Sequence, residues 1–181
     1  MKNILRKLKL TDSFVVELKI QQQEFVSMLK ENVDEGSVGI FSDTFDVFSS
    51  SKNEFKGHIN WEGFKIKRKR RFFDTNINLA VASGSYKQQY DKLIIKTEIN
   101  SLNVLMTLFY VFLLLFYPLF IFLILVTDNI TGNTPAFVLP FLLVHAASML
   151  GIPYIMMRKS VKRMKYELER EFYYMVRDKS R

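Results

Sequence analysis

Two long stretches without a charged side chain constrain this sequence more than any other feature. Leu102–Val126 runs for 25 residues and Pro135–Met157 for 23 with no Lys, Arg, Asp or Glu, and between positions 101 and 157 only Asp128 is charged. Crossing a bilayer core takes roughly 20 apolar residues at about 1.5 Å rise each. A buried helix of a soluble domain is rarely apolar on every face over such a length. The two stretches therefore predict a pair of transmembrane helices. The connection Thr127–Thr134 is short and polar, so antiparallel neighbours are expected. Pro135 is expected in the first turn of the second helix, where its missing N–H has no partner in any case. Asn129-Ile130-Thr131 fits a glycosylation acceptor as well as a plain polar turn.

Lys and Arg near the membrane ends set the orientation. Lys87, Lys92 and Lys96 precede the first span, Arg158, Lys159, Lys162, Arg163 and Lys165 follow the second, and the connecting loop has none. Both termini are expected in the cytoplasm, in an inner (plasma) membrane protein. The N-terminal Met1–Leu10 starts positive but lacks a continuous apolar core and a small-residue cleavage site, so it is read as part of the mature chain. The absence of cysteine excludes disulfides, thiolate nucleophiles and Cys-type zinc sites.

Residues 1–100 read as a cytoplasmic β-rich domain. Phe14, Val16, Leu18 and Ile20 alternate with Val15, Glu17 and Lys19, the period-2 pattern of a half-buried strand. Phe25, Met28, Leu29 and Val33 at helical spacing predict one short helix over 21–33, ended by Asp34-Glu35-Gly36-Ser37. Further strands are expected near 38–48, 54–60, 64–73, 77–82 and 92–99. Ser49–Asn53 and Asn60-Trp61-Glu62-Gly63 are read as turns, and Ser83-Gly84-Ser85 as a break. Residues 101–157 are the hairpin, with spans at about 102–126 and 135–157. Over 158–181, Val161, Met164, Leu168, Phe172 and Met175 make one apolar stripe, read as an amphipathic helix packing back on the β domain, or alternatively pairing with a second copy. The expected class is an α+β membrane protein: an antiparallel sheet or small barrel with a short helix, a two-helix hairpin and a C-terminal amphipathic helix.

This layout, with Phe55-Lys56-Gly57-His58-Ile59, then Phe64-Lys65-Ile66 and the late helix bearing Glu167, Glu169 and Glu171, resembles small bacterial two-helix membrane proteins with a pleckstrin-homology-like cytoplasmic β domain. The resemblance implies a fold more than a job.

The densest chemical feature is Lys65, Lys67, Arg68, Lys69, Arg70 and Arg71, six cations in seven residues. On a strand Lys65, Lys67, Lys69 and Arg71 share one face, while Arg68 and Arg70 continue the face of Phe64 and Ile66. One reading is recognition of an anionic partner, a lipid headgroup or a phosphorylated ligand. The other is a solvated strand that helps fix topology. Arg68 and Arg70, if interior, need an anion or a carboxylate beside them. Nucleic acid ranks last among partners, because only Phe72 and Phe73 lie near and stacking aromatics are not interleaved with the cations.

Within the spans, His145 and Tyr117 fall at similar depth. An intramembrane ionisable residue points to proton or ion traffic; a hydrogen bond from His145 to Tyr117 or Ser148 is the structural alternative. Pro118, Pro140 and Pro153 are expected to kink helices or free carbonyls, and Ala146, Ala147 and Gly151 form a small-residue strip. His58 reads as structural, and Trp61 as an interfacial anchor or a core cap. There is no phosphate loop, zinc-binding helix motif or nucleophile elbow, so no enzyme, cofactor or metal is expected. The chain reads as a membrane-anchored binding or regulatory module. The alternatives are an oligomerising, membrane-disrupting effector with a β-barrel sensor, or a component of an oligomeric channel or transporter. Expected partners are membrane lipid, an anionic small ligand, and further copies through the transmembrane helices.

Overall fold

The computed structural model describes residues 2–39, 51–70, 78–132 and 135–179. In chain order these form α1 (Lys2–Lys7), β1 (Thr11–Leu18), α2 (Gln22–Asn32), β2 (Val33–Glu35), β3 (Phe55–Ile59), β4 (Gly63–Arg68), β5 (Val81–Gln89), β6 (Lys92–Asn100), α3 (Val104–Thr131) and α4 (Val138–Lys179). The chain divides into two units: one comprises Met1–Ser101 with Met156–Arg181, the other Leu102–Ile155.

The first unit is α+β. Its described strands form one sheet in the order β1-β6-β5-β4-β3-β2. Every neighbouring pair is antiparallel except β2 and β3, which run parallel from Val33↔Phe55 to Glu35↔Gly57. The sheet is therefore mixed, and it is open, with β1 and β2 at its edges. This corrects both the purely antiparallel sheet and the barrel alternative. β2 occupies the Asp34-Glu35 segment that local composition marks as a break. Its parallel register is available because the chain from Glu35 to Phe55 is long enough to return to the same end of the sheet.

One face of the sheet carries the core. Phe14, Val16 and Leu18 of β1 alternate with exposed Ser13, Val15 and Glu17, as period 2 requires. Leu93, Ile95 and Ile99 of β6, Ala82 of β5, Phe64 and Ile66 of β4 and Phe55 of β3 continue that face. Two helices cover it. From α2 come buried Phe25, Val26 and Leu29. From α4 come Val161, Met164, Leu168 and Phe172, with Met175 and Val176 packed alongside. Phe172 lies at the centre, its ring 5.4 Å from Phe25 and 5.8 Å from Phe64, both edge-on. Such offset aromatic pairs add to area burial.

β5 is longer than the 77–82 segment expected from sequence. Ser83-Gly84-Ser85 does not break it: Gly84 pairs with both Phe64 and Thr97, and the Phe64 ring lies where a Gly84 Cβ would be. The glycine is there for close approach of a ring, not for a turn. β4 ends at Arg68, short of the expected 64–73 strand, whose residues 71–73 lie outside the described residues. The strand expected at 38–48 falls almost wholly outside the described residues.

The second unit holds two helices long and apolar enough to cross a membrane. Asn103 caps α3, its Oδ1 accepting from Met106 N at 2.9 Å. α3 extends to Thr131, so most of the segment read as a turn is helical. Pro135 precedes α4, and Pro140 takes the first-turn position where a missing N–H is tolerated. The helices are antiparallel, with a contact cluster of Leu113, Tyr117 and Leu142, flanked by Phe109, Ile121 and Ala146. Outward residues such as Leu108, Phe112, Leu115, Phe141 and Val144 stay exposed.

Candidate functional site

The cations of 65–71 go to different places. Lys65 is exposed, paired across the sheet with His58, which is exposed as well. Lys67 is buried on the face opposite the core, with cross-strand Lys56. Lys69 is buried and forms an ion pair with Asp34. Arg70 is exposed beyond the end of β4, and Arg71 lies outside the described residues. The alternation expected through Arg71 thus stops at Arg68, and Lys65, Lys67 and Lys69 are not one solvated row.

Arg68 does share the face of Phe64 and Ile66. Its guanidinium donates to Glu167 Oε1 at 2.6 Å and lies 3.7 Å from Glu54 Oε2. Arg163, one turn before Glu167 on α4, donates to the same oxygen at 2.8 Å. A carboxylate therefore meets the interior cation, as burial of a charge requires. Burial pushes the Glu167 carboxyl up, and the Arg163 guanidinium works against that rise. For Asp34 the balance is reversed. Burial raises it, but hydrogen bonds from Lys69, Ser51 and Asn53 outweigh burial, leaving it below the usual carboxylate range. Sequence proximity could not have disclosed Glu167 as the partner of Arg68; the only local signal was the Arg163–Glu167 spacing, which suits a helical ion pair.

In the hairpin unit, Tyr117 Oη and His145 Nδ1 are 2.8 Å apart. Tyr117 is buried and the imidazole stacks on Phe141. Ser148 donates back to the Val144 carbonyl instead. Tyr110 Oη donates to the Leu150 carbonyl at 3.2 Å. Trp61 is half exposed, with Lys30 Nζ 5.8 Å from its ring centre. It stands at the β3–β4 tip, the sheet end opposite Asn100, so the run of β6 separates it from the residues leading into α3.

A concave site that sequence reasoning missed lies between the end of α1 and the α4 turn that follows Met157. Arg6, Lys9, Thr11, Asp12, Arg158, Val161 and Lys162 line a groove of about 480 Å³. Its shape starts with the end of α1. Leu10 N bonds to Leu5 O at 2.9 Å and Lys9 N to Arg6 O at 3.0 Å, a Schellman closure with Lys9 at the left-handed position (φ 56°). That position favours glycine, and an ordinary L-residue there costs about 1–2 kcal/mol. Leu10 is then fixed by Ser101, whose backbone N–H and hydroxyl both donate to the Leu10 carbonyl, at 3.1 and 3.0 Å. The groove's one carboxylate, Asp12, is paired with Lys165 at 3.1 Å. Among the described residues no group of His, Cys, Asp or Glu is arranged to hold a metal ion. Comparison with family models, curated proteins and solved structures finds no match to this chain.

Proposed function

We propose that this chain is a two-span integral membrane protein with both termini in the cytoplasm. Its α+β unit acts there as a non-enzymatic binding or regulatory module that recognises an anionic partner at the inner leaflet. The observation that carries this reading is the surface of α3 and of the first half of α4: large apolar side chains exposed all along both helices, which water would not tolerate and lipid would. Exposed Lys96, Arg158, Lys159 and Lys162 stand on the α+β unit near the chain's two passages into the hairpin, and residues 129–137 carry no cation. That asymmetry supports the orientation. α4 supplies residues to both units, so the module is continuous with one span.

The test is membrane extraction combined with reporter fusions on the full chain. The protein should stay in the membrane pellet after alkaline carbonate. A reporter after Arg181 should be active only in the cytoplasm, and one inserted at Gly132 only outside. Release by carbonate would defeat the membrane reading, and inverted reporters would defeat the orientation. Growth arrest with loss of membrane potential on expression would favour the membrane-disrupting effector instead.

A further inference from the structure

We propose that the groove between α1 and α4 is a binding site for a phosphate group, presented by an anionic phospholipid headgroup or by a free phosphate ester. The proposal rests on the membrane-module reading above and gives that module's anionic partner a location and a chemistry.

Four cations converge on this concavity from two segments about 150 positions apart: Arg6 and Lys9 at the end of α1, Arg158 and Lys162 on α4. Its volume falls within the roughly 300–1,000 Å³ of small-ligand sites. Arg158 and Lys162 stand at i and i+4, where like charges destabilise a helix. The lining carries four cations against one carboxylate, Asp12, and that carboxylate also pairs with Lys165. Cations gathered in a concave surface raise the local concentration of anions. Arg and Lys are the residues that hold phosphate, by a forked guanidinium and by a point charge respectively.

Lys9 gives the second line of argument. Its backbone sits where glycine is preferred, yet the residue present carries a long cationic side chain that lines the groove. A backbone conformation held against preference is a pointer to function when its side chain reaches a candidate site.

Placement gives the third. Leu10, next to Lys9 and Thr11, is bonded to Ser101, and Arg158 follows Ile155 by three residues. Both passages of the chain into the hairpin unit therefore adjoin the groove in sequence or by hydrogen bond. Anionic phospholipid headgroups are one abundant source of phosphate for a chain that enters a membrane.

The experiment uses the full chain in mild detergent, with two arms. In the lipid arm, native mass spectrometry compares retention of phosphatidylglycerol with that of phosphatidylcholine. In the free arm, calorimetry follows titration with inorganic phosphate and with glycerol phosphate. A cation near an anionic surface is worth about fivefold in binding. The triple variant Arg6→Gln/Lys9→Gln/Lys162→Gln should thus lose on the order of a hundredfold in whichever arm shows binding. A control of equal charge loss elsewhere, at exposed lysines outside both the groove and the 65–71 cluster, Lys19→Gln/Lys52→Gln/Lys87→Gln, should keep it. Lys9→Gly is the sharpest variant: it should melt no lower than the parent while binding about fivefold more weakly. Retention by the triple variant equal to the parent in both arms overturns the proposal. So does equal loss in the control, which would show diffuse charge attraction rather than a site. The free arm needs no bilayer, so it reports on the groove even if carbonate extraction defeats the membrane reading.

Discussion

Ser160 holds two backbone amides at once. Its hydroxyl on α4 accepts from Leu79 N at 3.0 Å and Ala80 N at 2.9 Å, in the segment just before β5. Both amides are buried with it, and an orphaned buried donor costs about 1–3 kcal/mol. Ser160→Ala should therefore destabilise the α+β unit by at least that amount, read as a shift in thermal unfolding, and Ser160→Thr should recover part of it. Arg68 and Glu167 behave as a pair. Removing one partner leaves a buried charge, typically a loss of about 3–5 kcal/mol. Arg68→Leu and Glu167→Leu are expected to cost less together than the sum of the two single losses; single losses that simply add in the double variant would show that the pair is not coupled. Asp34 gives the pH dependence a sign. Its folded-state carboxyl lies below the ordinary value, so its contribution is present above the unfolded pKa and is lost as pH falls through the folded one. Asp34→Asn should flatten that acid limb of a stability-versus-pH profile.

At the level of elements, α4 decides whether the sheet has a core. Phe172 meets Phe14, Phe25 and Phe64, which come from three different elements. Truncating a buried phenylalanine costs about 3–5 kcal/mol, so Phe172→Ala should leave the unit marginal or unfolded, as seen in the emission of Trp61, the chain's single tryptophan. Gly84→Ala tests the sheet from the other side. The new methyl would collide with the Phe64 ring, an overpacking expected to cost about 1–3 kcal/mol. The helix α2 shows how an element end borrows from a neighbour: Gln21 offers no side-chain cap, and Gln88 Oε1 on β5 accepts from Gln22 N at 2.8 Å instead. No propensity pattern around residue 21 could have announced a cap supplied from residue 88.

At the scale of the whole chain, the α+β unit is assembled from both sides of the hairpin, Met1–Ser101 and Met156–Arg181. Replacing residues 102–155 with a flexible linker should yield a water-soluble protein with one cooperative unfolding transition. Residues 1–101 alone should not give one, because Val161, Met164, Leu168 and Phe172 would be missing from the core. Equal cooperativity of the two would show that α4 is dispensable. Much of this plan is written in local chemistry. The two uncharged stretches are long enough to span a bilayer because their length and composition alone set their solubility. The alternation around Phe14 and the spacing from Val161 to Phe172 identify core faces because strand and helix periods are properties of the backbone. Period 2 also places Arg68 on the side of Phe64, but it cannot say where a strand stops or whether its polar face is covered. That is why Lys67 and Lys69 look solvent-facing in sequence and are buried in the fold. The parallel pairing of β2, the meeting of Arg68 with Glu167 and the convergence of Lys9 with Lys162 were decided by tertiary structure alone. Each joins residues far apart in the chain, and what brings them together is packing of the shared core, which no local pattern encodes.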